Sequence, residues 1–105
     1  MKIVLLHNHY DPAHLAAVTA DMRNLGAPLI RAVWSEGYGC WVALEGCHRL
    51  RAAHSLHLLP RLAAVEYSDE PVGGIDGNPT VAAVVDGAWR SLVLDFDAYD
   101  GGHHD

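Results

Sequence analysis

The chain has 105 residues, half of them apolar, and a formal net charge of −6. This length suits one domain with a modest core, and the apolar content excludes disorder over most of the chain. No apolar run approaches the roughly 20 residues of a transmembrane helix. Met1 and Lys2 lead directly into a strand pattern rather than a signal peptide. We therefore expect a soluble cytoplasmic protein without a membrane partner.

The charges are unevenly distributed along the chain. From Glu66 onward there are nine carboxylates, and Arg90 is the only Lys or Arg. Between His48 and Arg61, by contrast, three arginines and three histidines occur without any acid. An acidic chain with one basic segment is poorly suited to following a DNA backbone by charge. This distribution favours a small phosphorylated ligand over nucleic acid as the partner.

The first predicted elements are a strand and a helix. Residues 3–6 form a short apolar run typical of a buried strand. Asp11 followed by Pro12 is typical of a helix start, with Asp11 as the N-cap, and Gly26 is a typical residue just beyond a helix end. Between them, apolar residues recur at helical spacing to form a single stripe, at Leu15, Val18, Met22 and Leu25.

A hairpin, a second helix and a further strand are predicted next. Residues 29–34 and 40–44 are strand patterns separated by a glycine-containing turn, which predicts a hairpin. A helix is predicted over residues 47–58, with Pro60 as its break. Residues 62–67 are predicted to form a strand. Cys40 and Cys47 are interpreted as free thiols, because across one strand their side chains are expected to point apart.

The C-terminal third is predicted to be an extension, residues 68–105, packed on a core of residues 1–67 in the same single domain. Three glycines and two prolines in residues 68–79 indicate a loop. Residues 80–86 fit a strand or a helix, and Asn78-Pro79 as a cap pair favours a short helix. A last strand is predicted over residues 90–96, followed by a loose acidic tail.

The stretch Gly46-Cys47-His48-Arg49 lies where a strand pattern ends and a helical pattern begins. A glycine there lets the backbone turn sharply and approach a ligand closely. The first turn of a helix presents unpaired N–H groups and a positive dipole end, which favour anions and the thiolate form of a cysteine. An arginine in that turn is unfavourable unless an anion balances it. The pattern therefore predicts a phosphate bound by Gly46, His48 and Arg49.

These four residues, called the box below, resemble the Gly-Cys-His-Arg motif of sulfiredoxins within the ParB/sulfiredoxin superfamily. The similarity extends more loosely from Lys2 to about Tyr67, as a strand, a helix, two strands, the box with its helix, and a closing strand. The resemblance implies a small α/β (α+β) fold with a mixed sheet. It also implies ATP or ADP as ligand with Mg²⁺, and a nucleotide site at Gly46, Cys47, His48 and Arg49.

Two mechanisms follow from the resemblance. In the sulfiredoxin-like mechanism, a sulfinic acid on a partner protein is phosphorylated and Cys47 attacks the product, which reverses an oxidation. In the kinase-like mechanism, Asp11 or His9 accepts a proton from a small hydroxyl substrate, and Cys47 takes no part. The alternatives are a ParB-like module that binds or nicks DNA, and a phage- or plasmid-type accessory domain without catalysis.

The segment His7-Asn8-His9-Tyr10-Asp11 also matches the opening of the metallo-β-lactamase ligand motif, and its side chains suit zinc. The match fails at Pro12, where that family has its next histidine, and the chain is too short for that fold. The sequence therefore assigns no metal ligands.

Overall fold

The computed structural model of this chain describes residues 1–88 and 91–96. The elements in chain order are β1 (Lys2–Val4), α1 (Pro12–Leu25), β2 (Leu29–Ser35), β3 (Cys40–Ala43), α2 (Cys47–Ser55), β4 (Arg61–Ala64), α3 (Val81–Gly87) and β5 (Val93–Asp95). The strands form one mixed sheet in the order β4-β2-β3-β1-β5. The predicted class, a small α/β (α+β) fold with a mixed sheet, is confirmed.

The centre of the sheet is the predicted hairpin. Strands β2 and β3 pair antiparallel, with Trp34 opposite Trp41, and their rings meet edge to face at 5.6 Å. Parallel pairing adds β4 to the outside of β2 and β1 to the outside of β3. Strand β5 then pairs antiparallel with β1 and forms the other edge.

Both faces of the sheet are covered by helices. Helices α1 and α2 pack on one face, over a buried cluster that includes Ile3, Leu5, Ile30, Leu50 and Phe96. Helix α3 covers the other face through Val81, Val84 and Val85, against Val4, Val33, Val42 and Leu44. Fully burying a side chain of this size contributes about 1.5–3 kcal/mol. Within the described residues, no helix has the length and apolar character needed to cross a membrane.

Helix α1 begins as predicted. Asp11 has extended backbone angles, and its carboxylate accepts from the N–H groups of Ala13 at 2.9 Å and His14 at 3.4 Å. The helix ends at Leu25, and Gly26 follows it with a φ of 80°, a value that favours glycine. The predicted apolar stripe is wrong at its last position, because Leu25 is 82% exposed.

Helix α2 begins at Cys47 as predicted but ends at Ser55 rather than at residue 58. His57 adopts a φ of 57°, in the left-handed region, and the Leu58 N–H donates to the Ala53 carbonyl at 2.9 Å. The left-handed residue and this hydrogen bond end α2 in the way that a glycine usually ends a helix. With histidine at that position, the sequence carried no signal of the early end.

The C-terminal elements differ in detail from the prediction. Helix α3 is confirmed, but its cap is Thr80, whose hydroxyl accepts from the Ala83 N–H at 3.1 Å. The predicted cap pair at Asn78-Pro79 is wrong, because Asn78 lies before the helix with a φ of 48°. Three predicted strands are shorter or shifted, and become β1, β4 and β5. Arg90 and the predicted tail lie outside the described residues.

One side chain connects the sheet to the loop before α3. Arg31 on β2 donates to the carbonyls of Val72 at 2.7 Å and Gly73 at 3.2 Å. Its guanidinium also lies 3.0 Å from a carboxylate oxygen of Glu45, and the second Glu45 oxygen accepts from the Arg31 backbone N–H at 3.2 Å. Glu45 therefore fixes the Arg31 side chain that holds the loop.

Candidate functional site

A cleft of about 460 Å³ lies at the start of α2, where that helix meets α1 and the segment after β1. All four residues of the box line it, together with Leu6, His7, His14 and Val18. Its ionisable lining in the described part of the chain is therefore one arginine, three histidines and one thiol, without a carboxylate. Such a lining favours an anion over a cation.

Gly46 positions the first turn of α2 in this cleft. Its φ of 77° is in the left-handed region, and no side chain among the described residues caps the helix that follows. A Cβ at Gly46 would lie 2.5 Å from Cδ1 of Ile30, so packing as well as backbone conformation requires glycine. The N–H groups of the first turn thus lack the side-chain acceptor that caps many helices.

His48 binds the segment that leads into α1. Its Nε2 accepts from the backbone N–H of Asp11 at 2.9 Å. Burial lowers the pKa of His48, and the neighbouring His14 lowers it further, while Asp11 opposes this by favouring the charged form. A neutral ring that accepts at Nε2 carries its hydrogen on Nδ1. The prediction that His48 can donate to a ligand therefore applies to Nδ1 only.

Arg49 already has an anionic neighbour within the protein. Its guanidinium lies 3.9 Å from a carboxylate oxygen of Glu45 and donates to the Leu29 carbonyl at 3.3 Å. Glu45, one turn earlier, therefore supplies part of the charge that balances Arg49 at the helix start, and a bound anion is not the sole source of that balance. The side chain remains 42% exposed, so it can reach a ligand in the cleft.

Cys47 lies at the base of the cleft and is only 5% exposed. Its Sγ donates to the carbonyl of His7 at 3.7 Å, and its side chain belongs to the apolar cluster beneath α1 and α2. A buried thiol that acts as a donor has the character of a packing residue. The geometry does not present Cys47 as an exposed nucleophile.

The two other candidate catalytic residues, Asp11 and His9, are outside the cleft lining. The Asp11 carboxylate caps α1, as described above. The His9 ring stacks at a tilt on His7, 5.9 Å away, and its backbone N–H donates to His7 Nδ1 at 3.2 Å. The structure therefore brings the box together with His7 and His14, but it does not add a free general base from Asp11 or His9.

Two residues near the site were missed from the sequence. His14 meets the His48 ring edge to face at 4.4 Å. Its spacing of four residues from Val18, which places both on one side of a helix, could have indicated this. Arg51 lies 4.4 Å above the Tyr10 ring and donates to the Asn8 carbonyl and amide oxygens, both at 3.2 Å. No pattern in the sequence links these positions.

Metal binding gains no support from the arrangement. Among residues 1–88 and 91–96, no group of three or more His, Cys, Asp or Glu side chains is placed to hold a metal ion.

Comparison of the chain with protein-family models, with curated proteins and with solved structures found no match.

Proposed function

We propose that the cleft at the start of α2 binds the phosphate group of a small ligand. The observation that carries this proposal is a helix start without a side-chain cap in a cleft whose described lining has one arginine and three histidines but no carboxylate. Backbone N–H groups and the helix dipole at such a position stabilise phosphate. The resemblance of the box to sulfiredoxins makes ATP or ADP the ligand that we propose.

Each cleft residue has a defined role in this proposal. Arg49 turns part of its guanidinium from Glu45 toward the phosphate, where it can donate two parallel hydrogen bonds. His48 donates through Nδ1 while its Nε2 stays bonded to Asp11. His14, on the exposed first turn of α1, adds a third donor through one ring nitrogen, and its other ring nitrogen can accept a proton. Gly46 keeps the approach to the helix start free of a side chain.

Mg²⁺ fits this site only as a companion of the ligand. Magnesium prefers oxygen ligands such as carboxylates and phosphates, and the cleft lining offers no carboxylate within the described part of the chain. The ion would be held by phosphate oxygens and water. We therefore propose that phosphate binding does not require Mg²⁺.

Phosphoryl transfer is the finer form of the proposal. The kinase-like mechanism fits the buried thiol better than the sulfiredoxin-like one, because attack by Cys47 would require its Sγ to leave His7 and become exposed. A general base other than Asp11 or His9 is then needed, and His14, exposed at the cleft, is our candidate. A binding domain without turnover remains the second form of the same proposal.

Thermal-shift and calorimetric titrations with ATP, ADP and tripolyphosphate, each with and without Mg²⁺, test the proposal. A ligand at a hundredfold excess over its dissociation constant stabilises the protein by about 2.7 kcal/mol. We expect Arg49→Ala to remove most of the ligand-induced rise in melting temperature. Arg61→Ala is the matched control, since Arg61 is exposed and outside the cleft lining.

The comparison uses the ligand-induced rise rather than the melting temperature itself, because Arg49→Ala also loses contacts to Glu45 and Leu29. The absence of any rise with all three ligands at millimolar concentration would reject the phosphate site. An equal rise in both variants and in the unaltered protein would remove Arg49 from it.

A further inference from the structure

A second cleft, of about 450 Å³, lies at the opposite end of the β2–β3 hairpin from the box. It is formed by the hairpin turn, the segment after β4 and helix α3, and its lining is Trp34, Ser35, Glu36, Gly37, Tyr38, Tyr67, Val85 and Asp86. None of these residues lines the cleft at the start of α2. A ligand in the second cleft would therefore contact different side chains from a ligand at the box.

Exposed aromatic side chains dominate this lining. Trp34 is 45% exposed, Tyr38 is 38% exposed and Tyr67 is 56% exposed. The Trp34 ring is held in place by its edge-to-face contact with Trp41. Large rings with exposed faces offer electron-rich surfaces on which a cation can lie.

Two carboxylates accompany the aromatic rings. The Tyr67 hydroxyl donates to both oxygens of Asp86, at 3.0 and 3.1 Å, which fixes a ring and a carboxylate beside each other. The hydrogen bond to Asp86 raises the pKa of Tyr67, as an adjacent negative charge does. Glu36 is exposed on the hairpin turn. In the described part of the chain, the lining contains no Lys, Arg or His to neutralise these carboxylates.

We propose that this cleft binds an arginine side chain from a basic peptide segment of a partner protein. A guanidinium is planar and delocalised, so it can stack on Tyr or Trp while it donates paired hydrogen bonds to a carboxylate. A lysine ammonium lacks the flat face and the fork. The chain as a whole carries a net charge of −6, which adds a long-range attraction for a basic segment.

The binding test uses three peptides of one length and sequence, with two arginines, two lysines or two citrullines at the same positions. Citrulline keeps the shape of arginine but has no charge. We expect chemical-shift changes in heteronuclear NMR spectra to centre on residues 34–38 and 67. We also expect the arginine peptide to bind at least about threefold more tightly than the lysine peptide, and the citrulline peptide not to bind.

Two charge-neutralising variants distinguish binding in the cleft from long-range attraction by the net charge of the chain. Glu36→Gln should weaken binding of the arginine peptide about tenfold, the usual effect of losing a charge-assisted hydrogen bond. Asp76→Asn is the matched control, because Asp76 is exposed in the loop before α3 and outside the lining. It should change the affinity less than twofold.

Tyr67→Phe supplies a further readout, because it keeps the ring and removes the hydrogen bond to Asp86. It should weaken arginine binding, because the hydroxyl that fixes the Asp86 carboxylate beside the ring is lost. A circular dichroism spectrum checks that the variant is folded. Equal weakening by Glu36→Gln and Asp76→Asn, equal binding of the arginine and citrulline peptides, or shift changes centred elsewhere would each overturn the proposal.

Discussion

The backbone N–H of Asp11 donates to Nε2 of His48, 37 positions further along the chain, at 2.9 Å. This bond connects the start of α1 to the first turn of α2, the two elements that form the cleft. The segment before Asp11 is held by α2 as well, through Cys47 to His7 and Arg51 to Asn8. The shape of the cleft therefore depends on an imidazole that must remain neutral to accept.

Stability should decrease when His48 is protonated. The folded protein lowers the pKa of His48 below its ordinary 6.5, so the unfolded chain binds the proton more readily. The contribution is fully present above about pH 6.5 and is lost as the pH falls through the lower, folded value. A melting-temperature profile from pH 8 to pH 5 checks this. In His48→Gln, whose amide oxygen accepts at any pH, the profile should be flatter.

The chain has seven histidines besides His48, so the informative quantity is the difference between the two profiles. His57→Gln serves as a control, because His57 lies beyond the end of α2. A profile that is unchanged in His48→Gln and flatter in His57→Gln would contradict the assignment to His48.

Gly46→Ala should destabilise the fold more than the same change at a glycine that has positive φ but open space around it. At Gly46 the added methyl meets Cδ1 of Ile30 at 2.5 Å, whereas at Gly73, with a φ of 76°, it meets no atom of the described residues within 4 Å. Gly73→Ala should cost about 1 kcal/mol for backbone conformation alone. Gly46→Ala should cost an additional 1–3 kcal/mol or so for overpacking, measured by urea denaturation.

Removal of the clashing methyl group tests the cause. In the Ile30→Val background, Gly46→Ala should cost less than in the unaltered protein, although Ile30→Val alone costs about 0.5–1.5 kcal/mol. Additive costs in the double variant would show that the Ile30 side chain does not limit this position.

Both cysteines should resist alkylation in the native protein. Cys47 is 5% exposed and Cys40 is 8% exposed, and burial raises the pKa of the Cys40 thiol. A thiolate has to be exposed to react. Mass spectrometry after iodoacetamide treatment should show slow labelling of both, with rates that rise together in urea. Rapid, selective labelling of Cys47 at neutral pH would revive the sulfiredoxin-like mechanism.

Replacement of the Arg31 guanidinium should loosen the loop before α3. In Arg31→Lys the single ammonium cannot reach Val72, Gly73 and Glu45 together. Hydrogen exchange of the Val72 amide, which bonds to the Pro79 carbonyl, should then be faster, while exchange within β3 is unchanged. Unaltered exchange at Val72 would show that the loop is held by its other contacts.

Acid should weaken the same Arg31 contacts, because it protonates the Glu45 carboxylate. The hydrogen bond from Arg31 lowers the pKa of Glu45 below its ordinary 4.5, so the unfolded carboxylate takes up a proton first. The stabilisation by Glu45 is complete above about pH 4.5 and is lost as the pH falls through the folded value. Glu45→Gln should therefore have a smaller change in melting temperature between pH 5 and pH 3.

Local patterns in the sequence predicted most of the fold. Caps, hairpin spacing and apolar runs are short-range features, so Asp11 as an N-cap and the hairpin of β2 and β3 could be derived without coordinates. Element ends at His57 and Thr80 could not, because a non-glycine residue takes the left-handed turn at the first and a competing cap sequence precedes the second.

The cleft was predictable only in part. The box was identified because its four residues are contiguous, but its neighbours come from the segment after β1 and from α1. Pairings such as Cys47 with His7, Arg49 with Leu29 and Arg51 with Asn8 span 20 to 43 positions. Tertiary packing determines such pairings, and a single sequence carries no periodic signal for them. For this reason the sequence left open whether Cys47 is a packing residue or a nucleophile.

The position of β5 has a consequence for how the chain folds. Ile3 pairs with Leu94, so this edge of the sheet joins segments that are 91 positions apart. Contacts of such high sequence separation form late, because a large loop must close first. During synthesis, β1 can pair with β3 but must wait for β5 to leave the ribosome. We expect pulsed hydrogen exchange during refolding to protect the β2–β3 hairpin before the Ile3 and Leu94 amides.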